Sequence, residues 1–274
     1  DRGDRTALSA VVKATEAPAP AVRVAALDAL AALGDASVVP LLAQRAAEAE
    51  EAGEQQAARN SLNLLRAEGT NAAIARQLSA DKPSVRSAAA RALAARGAAD
   101  QVAALLGAAE DKEPAVAAEV FKAIRVIAKA EHVPAVVRLL TSTQDGGVRG
   151  EAENAVVAAA ATAETGGNPA EPVLAAVSGA GSPEVRASLL RVLGRIAHAS
   201  ALPVLYQSAK DGDASVKDAA IRALAEWPTG EPATVLFGIA RDESTSQVHR
   251  VLALRGYVVM IPKQPDATDD QILD

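Results

Sequence analysis

The sequence contains no cysteine and only five aromatic residues, two Phe, two Tyr and one Trp, among its 274 residues. Without cysteine the chain has no disulfide, thiolate nucleophile or cysteine metal site. Hydrophobic residues nevertheless make up 50% of the chain, and about a quarter of all residues are alanine. Because alanine has the best intrinsic helix propensity, this composition predicts an all-α protein.

Long apolar runs and an excess of positive charge are also missing. A helix needs about 20 consecutive apolar residues to span a bilayer, and the alanine-rich stretch AVVAAAATA at 155–163 is far shorter. The net charge of −6 does not suit a nucleic-acid partner, whose phosphates require a basic face. We therefore expect neither a membrane span nor nucleic-acid binding. Absence of cysteine suits an exported or periplasmic protein and a cytoplasmic one equally, so the compartment is left open.

An internal repeat dominates what the sequence does contain. PAVRVAALDALAALG at 20–34 matches PSVRSAAARALAARG at 83–97, and PEVRASLLRVLGRIA at 183–197 follows the same scheme. We define the reference position of each repeat as the residue aligned with Val22. The eight reference residues are Val22, Ala57, Val85, Val116, Val148, Val185, Val216 and Val248, at steps of 35, 28, 31, 32, 37, 31 and 32. A period in this range is typical of solenoid proteins.

Each repeat contains two helical patterns. Apolar residues recur at helical intervals after the reference position, as in Val185, Leu189, Leu193 and Ile196. A second, shorter helix follows a Val-Pro step, as in SVVPLL at 37–42. Two antiparallel helices per repeat predict a right-handed α-solenoid, or αα-superhelix, of about eight helix pairs. We expect residues 1–274 to form one such solenoid, cut from a longer chain at both ends.

The repeat resembles a HEAT repeat, specifically the short bacterial kind also found in phycobilin-lyase-type HEAT proteins. The resemblance rests on the proline, the Val-Arg pair, the small and apolar residues that follow, and the VPxL helix, over residues 4–261. The stretch that begins RALAEWPTGEPATVLF at 222 is similar to the end of the HEAT segment in large bacterial multidomain proteins. The resemblance implies a scaffold that works by presenting a surface.

Two sets of candidate site residues follow from the repeat. A basic residue recurs directly after the reference position, and in HEAT-like arrays this place forms a ladder of contacts with acidic or carbonyl groups of neighbouring repeats. We call these residues the basic ladder; they are Arg23, Arg86, Arg149, Arg186 and Lys217. The spacing of the second helices favours four positions for touching a partner in a concave groove. These candidate groove residues are Gln44, Arg76, Arg138 and Gln207.

Motifs for catalysis, cofactors and metals are not found. The three histidines, His132, His198 and His249, do not share a helix at metal-binding spacing. We therefore predict no catalytic residue, cofactor or metal ligand, and consider a small-molecule ligand a poor fit. The acidic run EAEEAGE at 48–54 is interpreted as the solvated end of a second helix.

The sequence therefore predicts a non-catalytic scaffold that binds a protein partner or another domain of the same chain. Two alternatives stay open. One is a phycobilin-lyase-like HEAT enzyme or chaperone, which would need a chromophore pocket. The other is a HEAT-type nucleic-acid binder, which would need a basic groove.

Overall fold

The computed structural model describes residues 7–263, and this range contains sixteen α-helices and no β-strand. The all-α prediction is thereby confirmed. We number the helices in chain order, α1 to α16. Their bounds are Leu8–Ala14, Pro20–Leu33, Val39–Glu48, Ala52–Leu64, Thr70–Arg76, Pro83–Ala95, Val102–Ala108, Pro114–Ile127, Val133–Ser142, Gly146–Ala160, Glu171–Ser178, Pro183–Ile196, Leu202–Ser208, Ala214–Ala225, Ala233–Arg241 and Gln247–Met260.

The even-numbered helices are the first helices of the repeats, and the odd-numbered helices are the second helices. The described residues form two compact units, one of residues 7–128 with 145–151 and the other of residues 129–144 with 152–263. Within the first unit α2 packs on α4 and α6 packs on α8, and within the second α12 packs on α14 and α14 on α16. Within each unit, first helices of consecutive repeats therefore stack on one another. Helix pairs stacked in this way form an α-solenoid, as predicted.

Helix starts correct the repeat register at two places. In α2, α6, α8, α12 and α14 the N-cap residue lies three positions before the reference residue, as Ser182 lies before Val185. By this rule the N-caps Glu51 of α4 and Ser246 of α16 place Glu54 and His249 at the reference position. The predicted reference residues Ala57 and Val248 were therefore wrong.

Burial supports the corrected register. Glu54 is buried, and so are the apolar residues Ala57, Ala58 and Leu62 on the same face of α4, whereas Val248 is 65% exposed. The interpretation of the acidic run as wholly solvated was wrong for Glu54. Sequence alignment failed here because an ionisable residue stands where the other repeats place valine, so a nearby alanine fitted the apolar pattern better. The corrected steps are 32, 31, 31, 32, 37, 31 and 33 residues.

Close contact between first helices depends on small residues. A Cβ atom added at Gly194 of α12 would lie 2.5 Å from the Cβ of Ala223 in α14. A Cβ added at Gly256 of α16 would lie 2.8 Å from the Cα of Ala225. Real Cβ atoms do not approach so closely, so glycine is required at both contacts. The alanine-rich composition is therefore a requirement of the stacking.

No helix within residues 7–263 is both long enough and apolar enough to cross a membrane.

The core of the sixth repeat gives a test of the packing. Leu193 of α12 is fully buried, whereas Ile196, predicted to share its core face, is half-buried. We expect Leu193→Ala to lower the free energy of unfolding by about 2–5 kcal/mol, because it removes transfer energy and leaves a cavity. Chemical denaturation measures the change. Leu64→Ala, at a leucine that is 60% exposed, is the control and should change stability by less than ~0.5 kcal/mol.

Candidate functional site

Arg86 is the best-formed member of the basic ladder. It lies in the first turn of α6, and its side chain is only 7% exposed. Its Nε and Nη2 atoms donate to the two carboxylate oxygens of Asp111 at 2.6 and 2.8 Å. Its Nη1 donates to the carbonyl oxygens of Ala80 and Asp81, both at 3.0 Å. The guanidinium therefore joins the end of the second helix α5 to the loop after the next second helix, α7. This contact uses the planar guanidinium fork, which only arginine has.

The acidic partners of the ladder recur at a fixed distance along the chain. Asp111 lies 25 residues after Arg86, and Asp211 lies 25 residues after Arg186 and 3.3 Å from its Nη1. Asp242 lies 25 residues after Lys217. Hydrogen bonds from Ser244 and Thr245 lower the pKa of Asp242, and the positive charge of Lys217 lowers it further. These three carboxylates also accept the backbone N–H two residues on, each at 2.9 Å. An acid at this fixed spacing is the signal that sequence reasoning missed.

The first repeat uses a different acid. Arg23 donates through Nε to Glu54 at 2.8 Å, and its Nη2 lies 2.6 Å from the same oxygen. Its Nη1 donates to the carbonyl oxygens of Ala17 and Pro18, the same relative positions that Arg86 uses. The hydrogen bond from Arg23 lowers the pKa of Glu54, although burial opposes it. This explains how a carboxylate occupies the buried reference position of the second repeat.

The rest of the ladder is less uniform. Arg186 is 37% exposed and makes a single contact with Asp211. Arg149 occupies the equivalent place in α10, where its backbone N–H donates to the carbonyl oxygen of Asp145. All five ladder residues are the fourth residue of their helix, but the contacts differ: Arg86 makes four hydrogen bonds and Arg186 one. The roles assigned to these residues stay predictions until variants are measured.

The candidate groove residues all lie exposed on second helices. Gln44 on α3, Arg138 on α9 and Gln207 on α13 are each the sixth residue of their helix, and Arg76 is the seventh residue of α5. The side chains of Arg76 and Arg138 make no hydrogen bond or ion pair with the described part of the chain. We call these four residues the second-helix row. That the row binds a partner remains a prediction.

Two glycines share this row, and sequence reasoning overlooked them. Gly107 is the sixth residue of α7 and Gly238 the sixth residue of α15, and both are exposed. A Cβ added at either one would meet no atom within 4 Å, in contrast to Gly194 and Gly256. The internal packing of the described residues therefore gives no reason for glycine at these two positions.

His132 and His198 serve local structure, whereas His249 contacts a neighbouring repeat. The Nδ1 atom of His132 accepts the backbone N–H of Lys129 at 3.1 Å, and that of His198 lies 2.8 Å from the hydroxyl of Ser200. Nε2 of His249 lies 3.1 Å from Asp218 in the preceding first helix. Within residues 7–263 no three His, Asp or Glu side chains form a group that could hold a metal ion.

The ladder gives a prediction that separates two equivalent arginines. Arg86→Ala should lower the free energy of unfolding by roughly 1–3 kcal/mol, since it leaves a carboxylate and two carbonyl groups without their donor. Arg186→Ala should cost less than about 1 kcal/mol, because its ion pair is exposed and single. Thermal and chemical denaturation of both variants measure the difference. An equal decrease in the free energy of unfolding in both variants would show that the additional hydrogen bonds of Arg86 do not add to stability.

The Arg86–Asp111 pair also predicts a pH dependence. Burial alone would raise the pKa of Asp111, but hydrogen bonds from Arg86 and the Glu113 backbone hold it below the ordinary value of 3.8. A carboxyl group whose pKa is lowered in the folded state stabilises the fold at pH values above its ordinary pKa. This stabilisation is lost as the pH falls through the lowered pKa. We therefore expect the stability difference between wild type and Asp111→Asn to be full at pH 7 and to vanish in acid, well below pH 3.8. Denaturation midpoints measured from pH 7 to pH 2 test this. A difference that is independent of pH would contradict it.

The chain resembles solved structures of Kap95p. One of them is described as "Kap95p Binding Induces the Switch Loops of RanGDP to adopt the GTP-bound Conformation". Its TM-score is 0.61 and its sequence identity 16%, and the match covers 95% of this chain and 40% of the Kap95p chain. The structure described as "Kap95:Nup1 complex" gives a TM-score of 0.62 and 16% identity, and the match covers 96% of this chain and 41% of that chain. The chain thus spans about two fifths of the Kap95 chains, and the likeness shows the fold alone. The complex of CpcE and CpcF of phycocyanin lyase from Nostoc sp. PCC7120 gives a TM-score of 0.36 at 16% identity, and the match covers 97% of this chain and 91% of that chain. A TM-score this low carries no argument about function.

Family models match most of the repeats. The model described as HEAT repeats matches residues 71–156 and 170–255, together more than half of the chain. The model described as PBS lyase HEAT-like repeat matches residues 22–48. No curated protein matches the chain significantly. With its stacked helix pairs and its recurring basic residue after the reference position, the chain belongs to the HEAT-repeat family.

Proposed function

We propose that the chain is a non-catalytic scaffold that binds a protein partner, or another domain of the same chain, through its second-helix row. The observation that carries this proposal is the contrast between the two surfaces of the repeats. The ladder residues Arg23, Arg86 and Arg186 use their side chains for contacts with neighbouring repeats. The second helices instead expose Arg76, Arg138, Gln44 and Gln207 to solvent.

The exposed glycines support the same surface. Glycine inside a helix costs roughly 0.5–1 kcal/mol relative to alanine, because it loses more backbone freedom on folding. Gly238 lies in the middle of α15, and no neighbouring atom needs the space in front of it. Close approach of another backbone is a common reason for glycine at such a place. A polypeptide lying along the second helices of the second unit, which carry Arg138, Gln207 and Gly238, would provide that backbone.

The chemistry of the row indicates the kind of partner. Arg76 and Arg138 offer guanidinium donors, and Gln44 and Gln207 offer amides that can donate and accept. None of these four residues is acidic, although the chain as a whole has a net charge of −6. Such a row suits an acidic polypeptide segment rich in hydrogen-bond acceptors. Kap95p, which has the same fold, is described in complexes with the proteins Ran and Nup1, so binding of protein partners has a precedent in this fold.

Selection of displayed random peptides on the immobilised full chain tests the proposal. We expect acidic peptides to be enriched, and their affinity to fall up to about fivefold in Arg76→Glu and in Arg138→Glu, since an exposed ion pair contributes up to ~1 kcal/mol. The matched control is Arg125→Glu, because Arg125, like Arg76, is an exposed arginine in the last turn of its helix, but belongs to the first helix α8. Affinities are measured by titration calorimetry.

Gly238→Ala adds a second readout on the same peptides. We expect it to raise the free energy of unfolding by about 0.5–1 kcal/mol and at the same time to weaken peptide binding. The control is Gly150→Ala in α10, where an added Cβ also meets no atom within 4 Å, and which should stabilise the chain without affecting binding. Peptides that bind the row variants and the controls equally well would contradict the proposal.

A further inference from the structure

The connection between α10 and α11 is the longest between the first and second helix of one repeat among residues 7–263. It spans the ten residues 161–170, whereas the other connections of this kind have five to seven residues. This connection explains why one step of the repeat is 37 residues long. Connections that carry extra residues on a rigid scaffold are common places for binding sites.

Hydrogen bonds hold this connection in a defined shape. The hydroxyl of Thr162 accepts the backbone N–H of Ala130, in the preceding repeat, at 2.8 Å, and donates to the carbonyl oxygen of Ala159 at 2.8 Å. Near the other end, the side-chain oxygen of Asn168 accepts the backbone N–H of Ala170 at 3.2 Å. The residues between these two contacts are therefore positioned by the neighbouring helices.

A cavity of about 280 Å³ lies between this connection and the ends of α10 and α12. We call it the loop cavity. Its lining residues all belong to the second compact unit. One part of its wall is apolar and is formed by Val157, Ala160, Pro169 and Ile196. The volume is at the lower end of the range for small-molecule sites.

Ile196 is open to the loop cavity although it occupies a core position. It lies at +11 from its reference residue, where Leu65, Ile127 and Met260 of other first helices are all buried. Ile196 itself is only half-buried and lines the cavity. The cavity therefore leaves apolar surface exposed that the other repeats cover.

The backbone next to Ile196 adopts an unfavourable conformation. Ala197 has a φ of 53° and is the single non-glycine residue with a positive φ in the described part of the chain. The equivalent residue after α6 is Gly97, which adopts a φ of 60° without the steric cost that alanine bears. The turn at Ala197 places both Ile196 and His198 in the cavity wall. Strained residues of this kind cluster at binding sites.

The loop cavity also contains charges of both signs. Glu164 is exposed, and its carboxylate makes no hydrogen bond or ion pair with the described residues. Arg195 donates through Nη1 to the side-chain oxygen of Asn154 at 3.0 Å, which leaves its other N–H groups available. Although Glu164 and Arg195 line the same cavity, they do not pair with each other. Both are therefore available to a ligand.

His198 provides a further donor. Its Nδ1 atom accepts the backbone N–H of Ser200 at 3.3 Å. The neutral imidazole ring therefore carries its proton on Nε2. The Nε2 atom has no hydrogen-bond partner within residues 7–263. A ligand with an anionic group can thus receive hydrogen bonds from both Arg195 and His198.

We propose that the loop cavity binds a free aliphatic α-amino acid. Arg195 and His198 donate to its carboxylate, Glu164 binds its ammonium group, and its side chain packs on Val157 and Ile196. A zwitterion fits because its two charges match the two opposite charges of the wall. The second-helix row contributes no residue to the loop cavity, so the two proposals can fail separately.

Titration calorimetry of the full chain with L-leucine tests the proposal. Leucinamide, which lacks the carboxylate, and N-acetyl-leucine, which lacks the ammonium group, are the comparison ligands. We expect leucine to bind and each derivative to bind at least tenfold more weakly, because each loses charge-assisted hydrogen bonds. Leucine should also raise the midpoint of thermal unfolding, since a ligand that binds only the folded state stabilises it.

Variants locate the bound amino acid. Arg195→Gln and Glu164→Gln should each weaken leucine binding at least tenfold. The matched controls are Arg125→Gln, at an exposed arginine in the last turn of the first helix α8, and Glu68→Gln, at an exposed residue in the connection between α4 and α5. Both controls should bind leucine like wild type. Because all four residues are exposed, the variants should fold, which circular dichroism checks.

Three results would overturn the proposal. The first is neither heat of binding nor a thermal shift with leucine, valine or isoleucine at ~10 mM, a concentration that detects even weak ligands. The second is equal binding of leucine and N-acetyl-leucine, which would show that Glu164 does not recognise an ammonium group. The third is unchanged leucine binding in both Arg195→Gln and Glu164→Gln, which would place the amino acid outside the loop cavity.

Discussion

The structure depends on the stacking of consecutive first helices. Within the compact units, first helices such as α4 and α14 bury one side against the preceding first helix and the opposite side against the following one. Contacts such as Gly194 with Ala223 leave no room for a larger side chain. A chain with few aromatic residues can build a core in this way, because many small helices in close contact replace a few large side chains. The abundance of alanine and the short period of about 32 residues follow from the same constraint.

The basic ladder complements this stacking at the surface of the core. A loop at the end of a second helix leaves carbonyl groups without partners, and an arginine after the reference position satisfies two of them, as Arg86 does for Ala80 and Asp81. The aspartate 25 residues further on neutralises the guanidinium and turns the chain into the next first helix. One arginine and one aspartate thereby join three successive helices, which explains why this pair recurs while the residues between them vary.

Much of the fold could be predicted from the sequence, because helix spacing, proline in the first turn and the phase of the repeat are local signals. The prediction failed at Glu54 and His249, where ionisable residues replace the valine on which the alignment relied. Their pairing with Arg23 and Asp218 is a long-range contact that no local pattern reveals. The basic ladder and the second-helix row could be placed by counting, whereas Asp111, Gly107 and Gly238 required the structure to show which surfaces face a neighbour and which face solvent.

Glu54 has a consequence for how the chain finds its correct partners while it folds. Segments 20–34 and 83–97 are nearly interchangeable, so a folding chain could stack helices from the wrong repeats on one another with little loss of apolar contact. A buried carboxylate restricts this for the second repeat, since it needs a basic residue such as Arg23 at the same height on the neighbouring first helix. A first helix without a basic residue at the ladder position, such as α8 with Ala117, would leave Glu54 with Arg45 alone, whose Nη1 lies 3.8 Å away. The residue that obscures the repeat in the sequence thus limits its neighbour to a first helix that carries the ladder charge.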